Sequence, residues 1–253
     1  MPTKVRIMPT LLHKDVGLVK GVGFDSWRRV GSAMQAIKVY NMREVDELVL
    51  LDINATCEGR SPDLALVDDL ADECFMPLTV GGGVRSVEDV RNLLQVGADK
   101  VAINSALIDS PELIQHIAQR FGSQCIVVSI DFRLNPNGTY EAYSHAGTMP
   151  TGKDPVMLAQ MAAELGAGEI LLTSIDRDGT MTGYDVELTR QVAKTVSVPV
   201  IASGGAGNYE HMVTILREGG VSAVAAASIF HFTHQTPLEA KRYLADHGFR
   251  VRL

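Results

Sequence analysis

The strongest constraint on how this chain can fold is a segment that occurs twice. Glu47-Leu48-Val49-Leu50-Leu51-Asp52-Ile53-Asn54-Ala55-Thr56 is echoed by Glu169 and the stretch Ile170-Leu171-Leu172-Thr173-Ser174-Ile175-Asp176-Arg177-Asp178-Gly179-Thr180. Each copy starts at a glutamate and continues as a short apolar run, as strands buried on both faces do. Each ends in acidic and small residues. The glutamates are 122 positions apart; Gly82 and Gly205 are 123 apart, as are Ser105 and Ser228. A nearly constant offset with matching residue types points to an internal repeat of half the chain. The plainer alternative is the loose repetition of any eight-fold barrel. A strand with carboxylates at its far end is how a parallel barrel builds a site.

The rest of the chain fits this pattern. Strands are expected over 5–12, 48–53, 77–80, 100–103, 126–130, 170–172, 200–202 and 223–226. Helical spacing runs over 32–41, 62–73, 87–95, 111–121, 155–165, 186–195, 209–218 and 237–247. Residues 13–24, with Asp15, Gly17, Lys20, Gly21 and Gly23, read as a long polar loop that could act as a lid. Residues 134–143 read as a small hairpin turning at Asn137-Gly138. Eight strands alternate with helices and no linker composition interrupts them. The expectation is one α/β domain over residues 1–253, a single (β/α)8 TIM barrel with an internal half-barrel repeat.

Composition narrows the partners. The chain has 253 residues, 46% of them hydrophobic, and a net charge of −7. That balance argues against nucleic acid but leaves room for a phosphorylated small molecule held by backbone N–H groups. Cys57, Cys74 and Cys125 are widely spaced and odd in number, which suggests reduced thiols in a cytoplasmic protein. No signal peptide is evident at Met1–Lys4, and no apolar run reaches the roughly 20 residues of a membrane span.

Several positions at strand ends can carry chemistry. Gly81-Gly82-Gly83 and Gly204-Gly205 follow strands, as do Asn104-Ser105 and Ala227-Ser228. Glycine allows close backbone approach, and N–H groups beyond barrel strands seven and eight often hold phosphate. The repeat places a second such site beyond strands three and four. Two sites across one mouth suit a long ligand with a phosphate at each end; the alternative is tight structural turns. Asp131 ends strand five and is a candidate general acid or base. Its counterpart in the first half is Leu12, which cannot transfer a proton, and Asp15 lies three residues further into the loop. His231 and His234 form H-x-x-H without a nearby acidic ligand, so helix-start packing is favoured; no metal and no cofactor is expected. Arg6, Glu47, Lys100 and Glu169 stand at strand starts. They could form a salt-bridged ring at the barrel bottom, either as structural closure or as a gate into the central pore.

Val80–Gly83, Lys100–Asn104, Phe121–Gln124, Gly166–Thr180, Ile201–Gly207 and the ending His247–Leu253 make a specific resemblance. The chain resembles the HisF family, the cyclase subunits of imidazole glycerol phosphate synthase, over nearly its whole length. The resemblance implies a HisH-like glutaminase subunit docked at the barrel's N-terminal face. Ammonia would pass the gate of Arg6, Glu47, Lys100 and Glu169. It would meet the bisphosphorylated ribulosyl substrate PRFAR at the top, giving imidazole glycerol phosphate and AICAR. It also implies phosphate or substrate contacts at Lys20, Gly82, Gly83, Asn104, Ser105, Asp178, Gly179, Gly204, Gly205, Ala227 and Ser228, with Asp131 as one of two catalytic aspartates. The family reads C-L-D-V-K-D-G-R at the other; this chain has Thr10-Leu11-Leu12-His13-Lys14-Asp15-Val16-Gly17. A divergent HisF-like branch is closer, sharing the P-x-L-L-x-K start, Gly17-Leu18-Val19-Lys20 and Glu73-Cys74-Phe75-Met76-Pro77-Leu78. That branch is linked to acetamidino modification of bacterial surface sugars, where the barrel supplies ammonia to an N-sugar amidotransferase. The resemblance thus implies an ammonia-conducting subunit, with a working histidine-pathway cyclase as the alternative. The related phosphoribosyl aminoimidazole isomerase is a weaker fit.

Overall fold

Eight parallel strands form the wall of the molecule: β1 (Arg6–Lys14), β2 (Leu48–Asp52), β3 (Leu78–Gly81), β4 (Lys100–Ile103), β5 (Ile126–Leu134), β6 (Glu169–Ser174), β7 (Val200–Ser203) and β8 (Ala223–Ala226). This computed structural model describes residues 4–15 and 17–253. The reading of Met1–Lys4 therefore falls almost wholly outside the described residues, as does Val16. Each strand pairs with the next in parallel, and β8 returns to β1, with Arg6 opposite Ala223 and Pro9 opposite Ala226. The sheet is closed, so no wall strand is left with a free edge.

Eight helices surround it: α1 (Ala33–Met42), α2 (Leu64–Ala71), α3 (Val87–Gln95), α4 (Glu112–Phe121), α5 (Pro155–Glu164), α6 (Val186–Thr195), α7 (Tyr209–Gly219) and α8 (Pro237–Asp246). Their starts are set locally. Ser32, Asp63, Ser86, Asp154, Asp185, Asn208 and Thr236 each accept a backbone N–H of the following turn. Alternate strand residues then divide two cores. Ile7, Leu11, Leu48 and Leu50 face the helices, whereas Met8, Val49, Val127, Leu171 and Ile201 pack along the barrel axis. Every wall strand and helix expected from the sequence is present, within a few residues at the ends.

Two expectations need correction. Residues 13–24 are not an irregular loop. β1 continues to Lys14 and pairs antiparallel with Gly17–Val22, which pairs in turn with Asp25–Gly31. The glycines mask the strand without preventing it: a Cβ on Gly21 would fall against the Asp25 carbonyl, so only glycine permits the close pairing. The second correction concerns the repeat. Leu51 lies opposite Gly81, and Thr173 opposite Ser203. A Cβ on Gly82 would strike the Asp52 carbonyl, and one on Gly204 would strike that of Ser174. Gly82 therefore corresponds to Gly204, not Gly205. The extra residue enters in the second half, between β7 and β8, since Gly81 opposes Ala102 while Ala202 opposes Val224. The small hairpin exists, formed by β5 and Tyr140–Ser144 across a turn that includes Gly138 at φ +83°.

Candidate functional site

A cavity of about 240 Å3 opens at the C-terminal ends of the wall strands. Its lining includes Lys20, Gly82, Gly83, Asn104, Ser105, Asp131, Asp178, Gly179, Gly204, Gly205, Ala227 and Ser228, so the fold brings together every cavity residue expected from the sequence. Leu12 lines it too. Asp15 does not: it is exposed and accepts a hydrogen bond from Asn54 Nδ2.

Asp131 is buried at the end of β5 and accepts a hydrogen bond from Asn104 Nδ2 at 3.2 Å. Burial, reinforced by the charge of Asp178, pushes its pKa up to about 7, while hydrogen bonds from Thr173 and Ser129 hold it back. A carboxyl poised near neutrality is suited to proton transfer in either direction. Asp178 sits in the turn after β6, its own pKa raised by burial and restrained by Lys20. Lys20 reaches it from the hairpin, Nζ to Oδ2 at 2.5 Å, with the lysine only 2% exposed. Gly179 makes this union possible, because a Cβ there would meet the Gly21 carbonyl at 2.2 Å.

The two small-residue turns differ in how much they leave available. Ser105 Oγ donates to Asn104 Oδ1 and accepts from His145 N, and Gly83 N donates to Thr56 Oγ1. Ser228 Oγ, by contrast, is buried without a partner. The hydroxyl beyond β8 is thus free for a ligand, whereas the one beyond β4 is already engaged.

The register shows what the first half-barrel lacks. Leu12 lies opposite Leu51, and Asp131 opposite Thr173, on strands equivalent by the repeat. Leu12 therefore occupies the place of Asp131, with a side chain that has no proton to give.

At the other end of the barrel the four charged residues close a ring. Arg6 Nη1 contacts Glu47 at 2.7 Å and Glu169 at 2.8 Å; Lys100 Nζ contacts the same two at 2.9 and 3.2 Å. All four are mostly buried. The Met8, Val49, Leu171 and Ile201 layer lies between this ring and the cavity. The ring and this packed apolar layer close the lower end of the barrel, where an ion without a partner would be costly to bury.

His231 lies in the short helix Ser228–Phe232, not at the start of α8, and His234 is exposed in the turn that follows. Burial, with a further contribution from Lys20, lowers the His231 pKa to about 4. Among the described residues, no three His, Cys, Asp or Glu side chains converge to hold a metal ion. Cys57, Cys74 and Cys125 are all free, and among the described residues no helix is long and apolar enough to cross a membrane.

The family model for histidine biosynthesis protein matches residues 6–236. The chain belongs to that family. Its barrels have the architecture found here, and the match covers both half-barrels, the ring and all the cavity-lining strand ends. Sequence reasoning missed several cavity residues of this family member: Thr10, Phe24, Trp27, Ser129, His145 and Thr173. Thr10, Ser129 and Thr173 could have been found as polar residues at alternate positions of otherwise apolar strands. Phe24, Trp27 and His145 come from hairpins whose fold over the mouth leaves no local signal.

Proposed function

We propose that this chain is the HisF-like barrel subunit of a glutamine amidotransferase assembly. In this reading a HisH-like glutaminase docks at the face carrying Arg6, Glu47, Lys100 and Glu169. Ammonia passes the ring, follows the apolar axis and leaves through the cavity. An N-sugar amidotransferase uses it there, for acetamidino modification of a surface sugar. One observation carries the reading: a closed charged ring leads through an apolar core to a mouth where Leu12 takes the place of one of two carboxylates. Conducting a neutral nucleophile needs the ring and the passage; a cyclisation with paired proton transfers needs both acids.

A second reading, the histidine-pathway cyclase, is favoured by Asp131. Its pKa near 7, and the Lys20–Asp178 pair beside it, suit a site that still transfers protons. Turnover of PRFAR with an ammonium salt, without glutaminase, separates the two. The conduit reading expects no turnover by the wild type and activity in Leu12→Asp. Robust wild-type turnover that is lost in Asp131→Asn would overturn it.

A further inference from the structure

The two half-barrels treat one pair of positions differently. Thr10 lies opposite Val49, and Ser129 opposite Leu171, so the repeat makes these two hydroxyls equivalent. Each stands two residues before the position held by Leu12 or Asp131, and alternate residues share a strand face. In the second half the Ser129 hydroxyl has the Asp131 carboxyl beside it and helps to hold its pKa down. In the first half leucine offers no acceptor. Thr10 Oγ1 is buried and has no partner, in a residue only 9% exposed that lines the cavity.

A buried hydroxyl left unpaired is costly and is usually explained by a ligand, a water or a functional role. The other unpaired hydroxyl in the cavity, Ser228 Oγ, lies in the turn assigned above to phosphate. Thr10 has no such assignment. It sits on β1 between the Met8 layer of the axis and Leu12 at the mouth, which is where the conduit reading has the ammonia emerge.

We propose that Thr10 Oγ1 is a binding station for neutral ammonia at the exit of the passage. The assignment rests on the conduit reading and adds the place where the nucleophile is held. A hydroxyl can donate to the nitrogen lone pair or accept one of its N–H groups. Ammonium has no lone pair, so only the neutral form can use the donor. The charges around the cavity include Lys20, Asp52, Asp131 and Asp178; Lys20 is paired with Asp178, and on the strand that carries Thr10 itself Leu12 brings no charge. The His231 ring lies nearby and stays neutral because of burial and the Lys20 charge. With Leu12 on the same strand face, the Thr10 hydroxyl is left as a donor that only the neutral nucleophile can use.

The test uses the whole chain without glutaminase or sugar, with ammonium chloride as the probe. Methyl resonances of Thr10 and Leu12 are followed by NMR during titration, at a pH near ammonia's own pKa and again well below it, at matched ionic strength. Saturable shifts at the higher pH alone are expected. Thr10→Ser keeps the Leu12 response, and Thr10→Val weakens apparent binding about 2- to 10-fold, the range for one net hydrogen bond. Three results would overturn the proposal: no saturable shift in the wild type, equal shifts at both pH values, or an unchanged Leu12 response in Thr10→Val. The conduit reading fails separately, if substituting Glu169 or Lys100 leaves the delivery of glutaminase ammonia unchanged.

Discussion

Lys20 Nζ and Asp178 Oδ2 are 2.5 Å apart although the residues are separated by 158 positions. The pair joins the hairpin after β1 to the turn after β6 across the cavity mouth, and it links three titrations. Lys20 holds down the pKa of Asp178 and lowers that of His231, while Asp178 raises that of Asp131.

Lys20→Met should therefore move His231 upward from about 4, since a repelling cation is lost. Burial remains the larger cause, so recovery to the ordinary value near 6.5 will be partial. Histidine proton NMR against pH gives the answer. A His231 pKa unmoved by the substitution would mean that Lys20 does not act on it.

Asp131 should make stability fall as pH rises. Its folded-state pKa of about 7 lies above the ordinary aspartate value, so the native state binds the extra proton. The cost is absent below the unfolded pKa, grows between about 4 and 7, and is constant above that. Asp131→Asn removes it. The variant should match the wild type at low pH and exceed it above neutrality by up to about 4 kcal/mol, the full value of a three-unit shift. Urea denaturation at several pH values tests this. A pH-independent difference would contradict the assignment.

The charged ring should behave as a unit. Arg6→Met leaves Glu47 and Glu169 sharing Lys100 alone, and should destabilise the fold by about 3–5 kcal/mol, as loss of one partner from a buried ion pair does. Adding Glu169→Gln should recover much of that loss. A double-mutant cycle measures the coupling, and simple additivity would show that the four charges act independently.

Gly82→Ala should cost far more than Gly138→Ala. Both glycines have positive φ, +107° and +83°. At Gly138 an added methyl meets nothing within 4 Å, so only backbone strain of about 1–2 kcal/mol applies. At Gly82 it would come within 2.2 Å of the Asp52 carbonyl and push the two strand ends apart. Denaturation midpoints of the two variants make the comparison. Similar losses would mean that the turn relaxes without effort.

The sequence by itself determined the closed eight-strand barrel and the main positions around its mouth. Periodic apolar runs, capping residues and glycine turns are local signals, and the Glu47/Glu169 repeat tied them to one closed sheet. It also matched Leu12 to Asp131, because a repeat makes a difference between its halves visible without any other sequence. Only the tertiary structure decided the rest. Gly17–Val22 forms a strand because β1 runs on beyond its pairing with β8 and offers its last residues as partners, which glycine content alone cannot reveal. The offset of Gly82 to Gly204 emerged from strand register, which a one-residue insertion hides from a count along the chain. Above all, the union of Lys20 with Asp178 and the solitude of Thr10 Oγ1 depend on which side chains meet inside the barrel. Such meetings are set by packing between distant segments, and no local spacing encodes them.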